Sequence, residues 1–190
     1  MVSFLDVSTE IGGFEIQLLD NRAPATCAYF RELAMRGAFR DGSIFRVVSR
    51  KKHIKHGETP IDVVQVGTAL GLDEARRIIT HEHSGVSGIR HGRGVVSAAR
   101  FAPGELYGSF FICLEAEPAL DFGGERHLDS AGFAAFGVVT AGLNVIVSAH
   151  DRAEDRPCLE SRIPVMDVAY RTGSGPAGAS GVRSGSDLTP

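Results

Sequence analysis

An arginine stands inside an otherwise apolar run, Gly42-Ser43-Ile44-Phe45-Arg46-Val47-Val48. A guanidinium stays charged and presents several N–H donors in one plane, so a fixed one can donate hydrogen bonds without ever being deprotonated. Without further context, an arginine in a strand is more often paired with a carboxylate at a sheet surface. A second apolar run, Phe110-Phe111-Ile112-Cys113-Leu114, carries two aromatic rings. Strand alternation sends Phe110 to the core and Phe111 to the opposite face. Other chemistry is less well supplied. His81 with His83, and His53 with His56, are pairs without a third ligand, so no metal and no cofactor are expected. Cys27, Cys113 and Cys158 are far apart and odd in number. No disulfide framework or zinc knuckle follows, and Cys27 and Cys113 read as small buried hydrophobes. Asp121 reads as a residue that orders its loop.

The elements that must position these groups centre on residues 92–120. Two short apolar runs there, 95–99 and 110–114, read as strands. The connection between them, 100–109, is expected to be long and to carry binding groups. Upstream, 2–8 and 14–19 alternate as a hairpin turned by Ile11-Gly12-Gly13. Pro24 opens a helix to about Met35, with Ala23, Cys27, Phe30 and Ala34 along one stripe. Strands follow at 43–48, 61–66, 133–139 and 163–170, and a second helix at 143–150. The basic run Arg50-Lys51-Lys52-His53-Ile54-Lys55-His56 reads as a solvated loop. Residues 68–93 form a long excursion with a helical turn at 73–77, functional or pinned to the surface. About eight strands and two helices, not alternating, imply a mainly β fold. The arrangement that removes sheet edges and covers both helix stripes is a closed eight-stranded antiparallel β-barrel capped by two α-helices.

Composition sets the outer bounds. The chain has 190 residues, 43% hydrophobic and 23% charged, with a formal net charge of −3. This is the balance of one soluble globular domain, placed at 1–171, with a flexible Gly/Ser-rich tail at 172–190. No basic face calls for nucleic acid, and no run is long enough for a membrane span. The first residues lack a secretion signal, so the cytoplasm is expected, or the periplasm if a signal has been removed.

Several segments together resemble one family. They are Gly13-Phe14-Glu15-Ile16-Gln17-Leu18, Ala23-Pro24-Ala25-Thr26, Ser43-Ile44-Phe45-Arg46-Val47-Val48, Val64-Gln65-Val66-Gly67, Gly94-Val95-Val96-Ser97-Ala98-Ala99-Arg100, Ser109-Phe110-Phe111-Ile112, Leu120-Asp121 and Phe133-Ala134-Ala135-Phe136-Gly137. In this order they resemble the cyclophilins, which are peptidyl-prolyl cis-trans isomerases, and among them the bacterial branch with an expanded loop after the third strand. The resemblance implies that Arg46 is the donor to the proline nitrogen and that Gln65 orients it. It implies a proline cup from Val63, Phe111, Leu120 and Phe133, with Ala99 and Arg100 lining the groove for the residue before proline. The implied activity is rotation about X-Pro bonds, assisting folding. Its implied partners are proline-containing peptides and unfolded or folding chains, met by a monomer.

The chain departs from the family at Asp62, where an aromatic is common, at Phe133 for a histidine, and at Ala119 for a tryptophan. Val66 replaces a glycine and is expected to stand beside the groove floor. These departures keep a second reading open, a catalytically weak module that binds proline peptides or acts as a chaperone on the same fold. A hollow-barrel carrier is disfavoured by strands rich in Val, Ile and Phe, which fill a barrel.

Overall fold

The structure is a computed structural model and describes residues 2–53 and 59–173. Ile54, Lys55 and His56 of the basic run, and positions 174–190 of the expected tail, lie outside the described residues. In chain order the elements are β1 (Val2–Thr9), β2 (Gly12–Leu18), α1 (Pro24–Met35), β3 (Ser43–Val48), β4 (Val63–Gly67), α2 (Leu72–Ala75), β5 (Arg77–Ile78), α3 (Ser84–Ser87), β6 (Val95–Arg100), β7 (Glu105–Cys113), β8 (Ala134–Ala141), α4 (Leu143–His150) and β9 (Cys158–Gly173). The strands run side by side as β4-β3-β9-β1-β2-β8-β6-β7, and β7 pairs back onto β4. Eight antiparallel strands therefore close on themselves. The two-residue β5 is added outside the ring, on Glu105 and Leu106 of β7.

Period-two alternation fills the barrel. Val64, Val66, Val96, Ala98, Phe110 and Ile112 are all buried in the central core. The stripe of α1 meets them there, with Phe30 stacked on Phe136 at 4.3 Å and edge-on to Phe110 at 5.7 Å. Burying a side chain of this size is worth roughly 1.5–3 kcal/mol, so the helix is held by what it covers. Among the described residues, Val, Ile and Phe side chains thus occupy the interior where a carrier would hold its ligand.

Two expectations are corrected. The connection between β6 and β7 is only residues 101–104, because β7 begins at Glu105, five residues earlier than the apolar run indicates. Polar Glu105, Tyr107 and Ser109 hide that start, and the binding groups lie on the strand itself. Thr172 and Gly173 belong to β9, paired with Ser3 and Val2, not to a tail. In the described part of the basic run Lys51 and Lys52 are exposed, as a solvated loop requires, while Lys52 Nζ donates to Ala153 O at 2.6 Å and the His53 ring bridges Ser49 N and Glu154 O.

The excursion at 68–93 is also anchored. The residue before α1, Ala23, has no capping side chain. Instead Glu82 accepts from Ala25 N at 3.0 Å, Thr26 N at 2.9 Å and Thr26 Oγ1 at 2.7 Å. A buried carboxylate from a distant loop thus satisfies the first free donors of the helix and sits at the positive end of its dipole.

Candidate functional site

The same alternation that fills the barrel sets a second row of side chains outside it. Val63 and Gln65 of β4, Ser109 and Phe111 of β7, and Ala99 of β6 alternate with core residues and face outward across adjacent strands. Val48, Ile61, Val63, Ala99, Phe111, Cys113 and Leu120 form a second apolar cluster apart from the core, with Tyr107 and Phe133 packed on its edge. Val66, in contrast, is fully buried in the barrel core. Its expected place beside the groove floor is therefore wrong, since one residue after an outward Gln65 must point inward.

Arg46 reaches this face because of a bulge. The register of β3 on β4 runs Ile44↔Val66 and then Arg46↔Gln65, skipping Phe45. The extra residue shifts the phase so that Ile44 and Val47 stay in the core while Arg46 turns out beside Gln65. Phe45 folds over Gly67, where a Cβ would come within 2.9 Å of its ring, so β4 ends in the one residue that leaves room.

A directed hydrogen-bond chain then orients the guanidinium. Arg46 Nη1 donates to Gln65 Oε1 at 3.1 Å. Gln65 Nε2 donates to Ser109 Oγ at 2.9 Å and Tyr107 Oη at 3.2 Å. Ser109 Oγ in turn donates to Val66 O at 2.8 Å, which leaves its lone pair for Gln65. An amide can present its oxygen to Arg46 only if its nitrogen points to acceptors, and Ser109 and Tyr107 supply them. Burial raises the Tyr107 hydroxyl above its ordinary value, opposed by the Gln65 bond and the Arg46 charge, so it remains a phenol.

These groups surround a cavity of about 280 Å³. All eight residues singled out from the sequence line it: Arg46, Val63, Gln65, Ala99, Arg100, Phe111, Leu120 and Phe133. Phe111 and Phe133 meet edge to face at 5.4 Å. Sequence reasoning missed Ile61, Tyr107, Arg126 and His127, which also line it. Tyr107 was within reach, because Tyr107, Ser109 and Phe111 keep one two-residue period. Arg126 and His127 sit in an irregular segment whose return is set by contacts such as Arg126 N to Ala119 O at 3.1 Å. Arg126 Nη1 donates across the cavity rim to Thr59 O at 3.0 Å.

Arg100 does not present its charge to the cavity as an unengaged cation. Its side chain is only 1% exposed and bonds Asp129 through both terminal nitrogens at 2.8 Å, with Nε on Gly132 O at 2.8 Å. Behind Phe111, at a ring distance of 6.2 Å, lies buried His91, bridging Asp121 Oδ1 at 2.8 Å and Ser97 Oγ at 2.9 Å. The order Asp-His-Ser matches a nucleophile relay, but Ser97 is fully buried and no substrate reaches it. Burial pushes the His91 imidazole down, against the Asp121 hydrogen bond, so it serves as a neutral strut. Asp121 orders its loop as expected.

Asp62, at the family's aromatic position, faces away from the cavity. It accepts from Arg50 N at 2.9 Å and lies 3.2 Å from His150 Nε2. Arg50 Nη2 also donates to buried Glu117 at 2.6 Å, and the Asp62 N–H bonds the same carboxylate at 2.8 Å. Among the described residues no group of three His, Cys, Asp or Glu is placed to hold a metal. His81 Nε2 contacts Ala131 O and His83 Nδ1 accepts from Gly85 N, so each ring has a local structural use.

The family model described as cyclophilin type peptidyl-prolyl cis-trans isomerase/CLD matches residues 4–168. Peptidyl-prolyl cis-trans isomerase-like 1 of Neurospora crassa is 31% identical over 168 residues, covering 86% of this chain and 92% of that protein. Its counterpart in Aspergillus fumigatus is 30% identical over 162 residues, covering 82% and 88%. A crystal structure of a Cryptosporidium parvum cyclophilin type isomerase superposes with a TM-score of 0.68 at 15% identity, covering 91% of this chain and 99% of that one. The same protein in the presence of the dipeptide Ala-Pro superposes at 0.67, also at 15% identity, covering 90% and 99%. At that identity these structures attest the closed eight-stranded fold.

Proposed function

Because the chain belongs to the cyclophilin type peptidyl-prolyl cis-trans isomerases, we propose that it accelerates rotation about X-Pro bonds in peptides and folding chains at the cavity beside Arg46. The observation that carries this reading is Arg46 held by the Gln65 amide at the wall of an apolar cup. Rotation must break amide resonance, a barrier of about 18–20 kcal/mol. No covalent bond changes, so the protein needs only to favour the twisted amide over the planar one. In the twisted state the proline nitrogen gains a lone pair. Arg46 would donate to it, while Phe111, Phe133, Leu120 and Val63 hold the ring and exclude water. Gln65 keeps the guanidinium plane aimed, and the edge of β6 at Ala99 would take the residue before proline. The domain placed at 1–171, extended by the last two residues of β9, is taken as the unit that does this.

The bacterial placement rests on the length of the segment after β3, whereas the relatives named above are fungal. A peptide-binding module without turnover is the alternative. It was motivated by Asp62, Val66 and the long loops, and of these Asp62 and Val66 point away from the cavity. Magnetisation exchange between the cis and trans signals of an Ala-Pro peptide separates the two. Acceleration by substoichiometric protein supports the isomerase, while shifted but unexchanged signals support the binder.

A smaller effect is expected at Ser109→Ala. The Gln65 amide loses its 2.9 Å acceptor and keeps only the longer Tyr107 contact. One neutral hydrogen bond is worth about 1 kcal/mol, so kcat/KM should fall about fivefold. An unchanged value in the same exchange assay would show that Gln65 needs no tether.

A further inference from the structure

Part of the cavity wall comes from the segment 126–133, which has no regular secondary structure until Ala134 opens β8. It supplies three cavity residues, Arg126, His127 and Phe133. An irregular segment keeps a shaped wall only if something pins it. The group under it is Arg100, at the end of β6.

The geometry is two-sided. Both terminal nitrogens of Arg100 bond the Asp129 carboxylate at 2.8 Å, the planar match that arginine makes and lysine cannot. Its Nε holds Gly132 O at 2.8 Å, the residue just before Phe133. Its guanidinium carbon also lies 4.8 Å from the centre of the Phe133 ring. Asp129 tightens its own turn through Ala131 N at 2.9 Å, and His127 Nδ1 lies 3.1 Å from its Oδ1. Burying a cation is costly unless every donor is matched, and here the partners of Arg100 are concentrated in the segment that walls the cavity.

We propose that Arg100 is a positioning residue, which through Asp129 and Gly132 clasps the segment 126–133 and through its face fixes the Phe133 ring as one side of the proline cup. This rests on the reading of the cavity as a prolyl-peptide site. Arg100 then governs grip on the peptide and leaves the Arg46 step alone.

Asp129 is the residue to vary, because its carboxylate lies at the partly exposed end of the pair and its removal leaves β6 intact. In Asp129→Asn the fork loses its charged partner, and KM for an Ala-Pro peptide should rise about tenfold with kcat within about twofold, the size of one charge-assisted hydrogen bond. Asp129→Glu, which retains the carboxylate, should recover most of the loss. Peptide Kd read from the Phe133 ring resonances should move in parallel, and this readout does not depend on turnover. If the wild type binds the peptide but does not isomerise it, the isomerase reading fails while the Kd comparison still decides the clasp. Unchanged Kd and KM in Asp129→Asn, or a fall in kcat at constant KM, overturns the proposal.

Discussion

Replacing Arg46 by alanine should lower kcat/KM for a proline peptide about 10²–10³-fold, the usual cost of deleting one donor aimed at transition-state charge. The loss should fall on kcat. On this reading the ring would be gripped by Phe111, Phe133, Leu120 and Val63, which line the cavity without depending on the guanidinium, so peptide Kd should stay within about threefold. Arg46→Lys should be nearly as damaging. A lysine keeps the charge but has a single mobile ammonium in place of a planar fork, so it cannot hold the Gln65 oxygen and aim a second donor along a fixed line. Magnetisation exchange on the bound peptide measures turnover, and a titration measures Kd. A variant that isomerises at the parent rate, or that loses binding in place of turnover, would remove Arg46 from the chemistry.

The largest effect on stability is expected far from the cavity, at Glu82→Ala. Its carboxylate accepts three hydrogen bonds at the start of α1, and Thr26 is fully buried. Deleting it strands two backbone N–H groups and one hydroxyl and removes a negative charge from the positive end of the helix. Together these should cost about 3 kcal/mol, or about 6–12 °C in Tm for a domain of this size. Glu82→Gln keeps an acceptor but loses the charge and should cost about half as much. Calorimetry of the two variants separates the hydrogen bonds from the charge. A Tm within about 2 °C of the parent for Glu82→Ala would mean that water replaces the carboxylate and that the excursion is not the cap of α1.

The two sites show where sequence reasoning carries and where it stops. Alternation is local, so Phe110 inward and Phe111 outward are readable from adjacent positions. The same rule, applied to Gln65 and Val66, would have shown that Val66 faces the core. The stripe of α1 and the short apolar runs are equally local, and with them the closed barrel; the eight expected cavity residues came instead from the cyclophilin resemblance, and they line one cavity. The start of β7 is hidden because Glu105, Tyr107 and Ser109 are polar and look like loop until the strands that pair with this stretch, β5 and β6 at Leu106 and β4 from Ser109, are known.

By itself, then, the amino-acid order determined which side chains share a face, because a strand repeats every two residues and a helix every 3.6 whatever surrounds it. Tertiary structure alone decided the rest: that skipping Phe45 turns Arg46 outward, that Glu82 caps a helix 57 residues upstream, and that Arg100 is matched by Asp129 across 29 positions. The physical reason is that a charged side chain commits to whichever partner the closed barrel brings within hydrogen-bond distance. That choice depends on how distant segments return to one another, which no local period encodes.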